Sequence, residues 1–275
     1  MSIKPSHVSF LLSCIVCMLI VISAVAGLSD PDFYYNETDE WRWQCYAQDL
    51  VNLFLVMPSL LITSLLVLKK PSLGGMLQPG VLLYLAYTYT IYCFNVHFNK
   101  SFVHYCAILA ISFYLFSYSL YKAITEPKVL DYRIKFTRIT GIYFLVIAGI
   151  FYILWLKDIL PAIRRESIPQ ELIETGLVTN PVHVLDLSFA LPGFFLAGIL
   201  LLRNTSLGYF FAGPLLVFAF LMDLTITALN SLGPKAFDKN VITLSGIMLT
   251  LAIFSSILLV LLIKSRLSLP QPTFK

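Results

Sequence analysis

Apolar runs of about 20 residues recur along the whole chain, and this repetition restricts the fold more than any motif does. At 1.5 Å rise per residue, such a run matches the ~30 Å hydrocarbon core of a bilayer. Backbone groups in lipid must pair within their own segment, so each run is expected to be a helix. Hydropathy windows put eight transmembrane helices at 8–27, 49–68, 76–97, 102–122, 139–157, 181–202, 207–231 and 241–263. Composition agrees, with 58% hydrophobic and 12% charged residues and a mean hydropathy of +0.83. A soluble domain carries about 25% charged residues. The expected fold class is therefore all-α, a polytopic helical membrane bundle filling residues 1–275 as one domain. The lipid bilayer is its first partner, and no room is left for a nucleic-acid-binding domain.

The net charge of +4 has meaning only when read by membrane side. With the N-terminus inside, 12 of the 19 Lys and Arg residues fall on the cytoplasmic side. Five of them (Lys122, Lys128, Arg133, Lys135 and Arg138) lie in the single loop 122–138. Most acidic residues fall in two exterior loops, 28–48 and 158–180. The reading is N-in and C-in, in the cell (plasma or cytoplasmic) membrane. Lys4, the run from Val8 and Ala24-Val25-Ala26 also resemble a secretory leader with a small-residue cleavage site. The repeat described next favours keeping that first span.

An offset of 134 residues lays Pro58, Lys69 and Ser72-Leu73-Gly74 over Pro192, Arg203 and Ser206-Leu207-Gly208. It also lays Asn52 over Asp186 and Tyr89 over Asp223. Two halves, 1–137 and 138–275, would each hold four spans in the same orientation, a tandem 4+4 parallel repeat about an axis along the membrane normal. Coincidence is the alternative, because prolines in spans and Ser-Leu-Gly turns are both common.

Asp186 and Asp223 are the costly residues. A carboxylate at the centre of a spanning helix is unfavourable by roughly 2.5–3.5 kcal/mol on the most lenient scale. Helical rise puts Asp186 roughly 6–8 Å and Asp223 roughly 12 Å below the exterior surface. Asn52, Asn95, His97, His104, His183 and Asn230 fall in the same outer portion, with Asp49 at the boundary of the second span. Residues near a span end reach interfacial water, which accounts for Asp49, His97, His104 and Asn230 without any function. That explanation suits Asp223 least, because its side chain is too short to reach the interface.

His183 and Asp186, three apart, are expected on one helix face, able to hold a proton or a cation. A divalent metal held by His97, His104, His183 and Asp186 is a weaker alternative, since no metal-binding spacing supports it. Pro58 and Pro192 are expected to kink their helices and free carbonyls of Phe54 and Ser188. Gly193 and Ala197 should form a close-packing face. Two hydroxyl stripes should face the bundle interior, Tyr84-Tyr87-Thr88-Tyr92-Asn95 and Tyr114-Ser117-Tyr118-Tyr121. Among five cysteines, Cys14 and Cys17 read as packing residues, whereas Cys45, Cys93 and Cys106 could supply one disulfide on the exterior side. Asn36-Glu37-Thr38 is a glycosylation acceptor if the host glycosylates. Ser167 to Glu174 reads as a capped surface helix.

No nucleotide-binding loop, zinc-protease motif or nucleophile elbow occurs, so no cofactor is expected and an enzyme is not favoured. The leading reading is a multi-pass protein that binds or translocates a small solute, cation or proton in an outward-facing polar pocket. Its contacts would be Asp186, Asp223, His183, Asn52, Asn95 and Tyr89. The alternatives are a membrane sensor or assembly protein acting through its loops, and an intramembrane metal-dependent hydrolase.

Overall fold

The computed structural model describes residues 4–125 and 136–267. Every one of the eight apolar runs is a helix: α1 Pro5–Ser29, α2 Asp39–Lys69, α3 Pro71–Asn95, α4 Phe102–Thr125, α5 Thr137–Arg164, α6 Pro181–Leu202, α7 Ser206–Leu232 and α8 Lys239–Leu267. No strand occurs among the described residues. Seven of these helices are long and apolar enough to cross a membrane. The eighth, α3, is 25 residues long but less apolar, because it carries Gln78 and a run of tyrosines and threonines. Lys128, Arg133 and Lys135 of the basic loop 122–138 lie outside the described residues.

Helix α2 starts ten residues earlier than hydropathy places it, inside what reads as loop 28–48. Thr38 accepts a hydrogen bond from the Trp41 backbone N–H at 3.3 Å, and Asp39 and Glu40 occupy the first turn. That combination satisfies and electrically complements a helix start, although the segment is not apolar. Loop 158–180 shrinks likewise, since α5 runs to Arg164 and a short surface helix covers Gln170–Thr175. Ser167 does not cap that short helix; Pro169 precedes it with no side-chain cap, and Gly176 closes it at φ +70°.

Helices α3 and α7 form the centre of the bundle. In α7, 67% of the apolar stretch is shielded by protein, against 22–39% in the other six apolar helices. Fourteen of the 25 residues of α3 are buried. The two helices meet where glycine allows backbones to touch. A Cβ on Gly80 would press on the Pro214 carbonyl and on Val217, and one on Gly213 would press on Met76. Gly74 lies against the backbone of residues 66–67 of α2, and Gly208 against that of 200–201 of α6. At the α5–α6 crossing the close residue is Gly198, against the Gly141 carbonyl. Of the small-residue face expected at Gly193 and Ala197, Ala197 is buried, whereas an added Cβ on Gly193 would meet nothing within 4 Å.

Of the two hydroxyl stripes, only that of α3 turns inward, with Tyr84, Tyr87, Thr88 and Tyr92 buried. In α4, Tyr114, Tyr118 and Tyr121 are exposed on the outside of the bundle. Periodicity shows that such residues share a face, but in a chain this apolar it does not say which face is covered.

Prolines 58 and 192 lie beside local irregularities in their helices. Each follows a π-turn, Asn52–Val56 in α2 and Asp186–Ala190 in α6. The N–H of Met57 bonds to the Asn52 carbonyl, and that of Leu191 to the Asp186 carbonyl, five residues back. The extra residue widens the turn and takes up the irregularity that a proline ring imposes. The two π-turns lie 134 residues apart and have equal length.

One end of the bundle carries four connections that are tied to one another, and it is called the cap end below. Thr38 donates to the Thr175 carbonyl at 3.0 Å, and Trp41 Nε1 to the Asn95 carbonyl at 2.9 Å. Lys100 pairs with Asp30 at 2.6 Å. Lys235 reaches both Glu174, at 2.9 Å, and Glu40, at 3.4 Å. Helix α1 packs into the same bundle, its Ser9 and Ser13 hydroxyls bonded to the Gln78 amide.

Candidate functional site

The polar residues of the cap-end half fall into separate clusters rather than one pocket. Asp186, at the first position of the α6 π-turn, is 8% exposed. It accepts from the Tyr87 hydroxyl of α3 at 3.0 Å and from Trp155 Nε1 of α5 at 2.8 Å. His183 stacks on the same Trp155, ring centroids 4.6 Å apart. Histidine and aspartate thus meet through one indole. Asn180 caps the start of α6 by accepting from the N–H groups of Val182 and His183, which fixes the turn that presents both residues.

Asn52 stands at the matching position of the α2 π-turn and is fully buried. Its Oδ1 accepts from Gln48 Nε2 at 3.0 Å, and the same amide donates to the Tyr84 hydroxyl at 3.0 Å. Tyr84 and Thr225 of α7 are 2.7 Å apart, and Thr225 donates to the Leu221 carbonyl. Since Thr225 spends its only proton on Leu221, Tyr84 is the donor to Thr225, and the chain runs Gln48 to Tyr84 to Thr225. The Asn52 Nδ2 group is buried without a partner.

Asp223 of α7 is different again. It is 5% exposed, and its Oδ2 has no hydrogen-bond partner. Nearly all buried polar atoms are bonded, and each exception calls for an explanation.

Sequence position suggests a solvated boundary residue at Asp49, but the structure buries it. It is 2% exposed and accepts from the hydroxyls of Tyr34 and Tyr92, each at 2.7 Å. Gly27 of α1 lies so close that a side chain there would collide with the Asp49 carboxylate and Tyr34. Tyr89 stacks on Tyr92, centroids 5.3 Å apart, and Tyr105 completes the wall. Burial first, and then the adjacent Asp49 carboxylate, hold the Tyr34 phenol well above its ordinary range, so it stays a proton donor. Sequence carried one hint of this cluster: five tyrosines among residues 84–105 with a carboxylate at the facing helix end.

Asn95 belongs to the cap, accepting from Trp41 and reaching the Thr179 carbonyl at 3.5 Å. His97 is spent on Glu37: its N–H donates at 2.7 Å and Nδ1 lies at 2.9 Å. His104 has a buried Nδ1 without a partner. His97, His104, His183 and Asp186 do not converge, and among the described residues no three His, Cys, Asp or Glu side chains gather as metal ligands. The cap end also holds a shallow pocket of about 230 Å³ between loop 30–37 and turn 97–100, with Tyr34 in its wall.

Seven long apolar helices, one of them (α7) packed at the centre against α3, define a multi-pass helical membrane protein. No protein-family model, no curated protein and no solved structure matches the chain.

Proposed function

We propose that the chain crosses the cell membrane eight times, N-in and C-in, as two tandem four-helix halves. In this reading it binds or moves a proton, cation or small solute through polar residues in the outer half. The cap end is the exterior end. Helix α3 is the eighth span; shielding by its neighbours is what lets it be less apolar than the rest. The repeat is supported by the paired π-turns, each followed by a proline, and by Gly74 and Gly208 meeting equivalent backbone.

The observation that carries the functional reading is Asp223. A buried carboxylate with an unpartnered oxygen, well inside an apolar helix, is unfavourable for folding. An arriving proton or cation would satisfy it. Asp186, with His183, Tyr87 and Trp155, supplies a second carboxylate whose donors hold it in place until an occupant competes for them. Asn52, Tyr89 and Asn95 lie in the neighbouring polar clusters of the same half of the bundle and would serve as further polar contacts along the path.

The test is flux in vesicles. The full chain is reconstituted with an entrapped pH-sensitive dye, and a potassium diffusion potential drives protons or the cation under test. Asp186→Asn and Asp223→Asn are each expected to reduce flux to the level of empty vesicles while staying folded. Parent vesicles indistinguishable from empty ones, or two variants as active as the parent, would overturn the reading.

A further inference from the structure

We infer that Cys93 and Cys106 are a reversible dithiol–disulfide pair that clamps the α3–α4 hairpin at the cap end of the bundle. The two sulfurs are 3.9 Å apart, and both residues are half-buried. Cys93 lies two residues before the end of α3 and Cys106 four residues into α4, on either side of the turn 96–101. The remaining cysteines have other surroundings. Cys45 is buried with Phe33, Tyr34 and Trp41, and Cys17 is in α1, its thiol directed at the Met57 carbonyl at 3.7 Å. Reaching a bond length of ~2.05 Å requires about 2 Å of closure. Side-chain rotation and a slight approach of two helix ends can share that movement.

The chemistry is exchange with a disulfide-bearing oxidant, a small disulfide or an oxidised dithiol protein. One cysteine thiolate attacks the oxidant's disulfide, which breaks and releases one thiol, leaving a mixed disulfide. The second cysteine attacks the sulfur of the first; the mixed bond breaks and the oxidant's other thiol departs. Two electrons pass from the cysteines to the oxidant, and the two cysteine protons end on the released thiols.

The clamp has a place to act. Each cysteine directly follows a tyrosine of the Asp49 cluster, Tyr92 and Tyr105, whose rings are 4.8 Å apart. Oxidation would fix the spacing of these two rings, and with it the hydroxyl that Tyr92 gives to Asp49. This inference is independent of whether Asp186 and Asp223 carry a solute.

The experiment equilibrates the purified full chain with glutathione buffers of graded ratio, quenches with acid, alkylates, and maps peptides by mass spectrometry. The expected result is a Cys93–Cys106 cross-linked species, two hydrogens lighter, which dithiothreitol reverses. In Cys93→Ser, and separately in Cys106→Ser, the remaining thiol should be alkylated or take one glutathione. Oxidised parent should melt several degrees above reduced parent, and both variants should lose that difference. Full alkylation of both residues at the oxidising limit, separate glutathione adducts on each, or linkage to Cys45 would overturn the pairing. A cross-link that leaves the melting temperature unchanged would overturn the clamp.

Discussion

The α3–α7 crossing makes the sharpest demand on sequence, and Gly80→Ala measures it. The added methyl would sit 2.6 Å from Val217 Cβ and 3.0 Å from Pro214 Cα, and closer still to the Pro214 carbonyl oxygen. Ordinary contact begins near 3.4 Å, so the helices must part by about 1 Å, and two of the three obstacles are backbone. Overpacking of this kind destabilises by typically 1–3 kcal/mol. Alanine returns about 1 kcal/mol of helix propensity relative to glycine. With backbone in the way, the upper part of the overpacking range applies, and a net loss of about 1–2 kcal/mol remains. At roughly 2–4 °C per kcal/mol for a chain of this size, the melting temperature should fall by roughly 2–8 °C. Gly193→Ala is the control, because nothing lies within 4 Å of its new methyl; its melting temperature should hold or rise slightly. The assay is thermal unfolding of both variants in one detergent, followed by intrinsic fluorescence. If Gly80→Ala is as stable as Gly193→Ala, the two central helices do not approach as described.

Other outcomes follow from the same contacts. Asp223→Asn should abolish vesicle flux while leaving the melting temperature close to the parent's, since the carboxyl oxygen it replaces has no hydrogen-bond partner to lose; a melting temperature lowered by several degrees would mean that the carboxylate has a stabilising partner. Tyr87→Phe should destabilise by about 1–3 kcal/mol, because one Asp186 oxygen loses its donor inside the bundle, and thermal unfolding measures it. Glu174→Gln addresses pH. The Lys235 ammonium, and next the Gln170 amide, hold Glu174 below its ordinary 4.5, so its ionised form stabilises above that value, and the contribution is lost as pH falls through the depressed one. The pair is exposed, so the effect is small. Parent and variant should differ slightly at pH 7, and the difference should shrink as pH falls below 4.5 in a melting series. A difference that stays constant as the pH falls would refute the assignment.

The eight helices were readable because apolar run length is a direct consequence of the solvent. Boundaries failed where the physics changed. Thr38-Asp39-Glu40 starts a helix by capping, which a hydropathy window does not register. Asp186 and Asn52 were visible as polar residues upstream of a proline, but the π-turns that present them depend on where the ring's irregularity is absorbed, and that is decided by packing. Asp49 departs from its sequence expectation for a related reason. Distance from a helix end stands in for solvation only if nothing covers that end, and here Gly27, Tyr34 and Tyr92 cover it from three other segments. None of these contacts is local in sequence, and a glycine gives no sign of what it admits. The stripe on α4 failed because an apolar environment exists both inside and outside the bundle, so hydroxyl periodicity alone does not choose between them.

The low hydropathy of α3 and the arrangement of the polar clusters are one fact. Tyr84 serves the amide network at the first π-turn, Tyr87 holds the carboxylate at the second, and Tyr92 holds Asp49. A single helix therefore supplies a hydroxyl to each of the three hydrogen-bonded clusters, and Asp223, whose Oδ2 has no partner, receives none of them. A tyrosine hydroxyl facing lipid would lose its partner, so a helix carrying this many must be surrounded by others. That requirement selects the central position beside α7, and the centre in turn demands the glycines that let the two backbones meet. Any rearrangement that slides α3 along α7 would move Tyr84 and Tyr87 together, loosening Asn52's network and Asp186 in the same step. Coupling between the two π-turns thus needs no path beyond three residues of one helix.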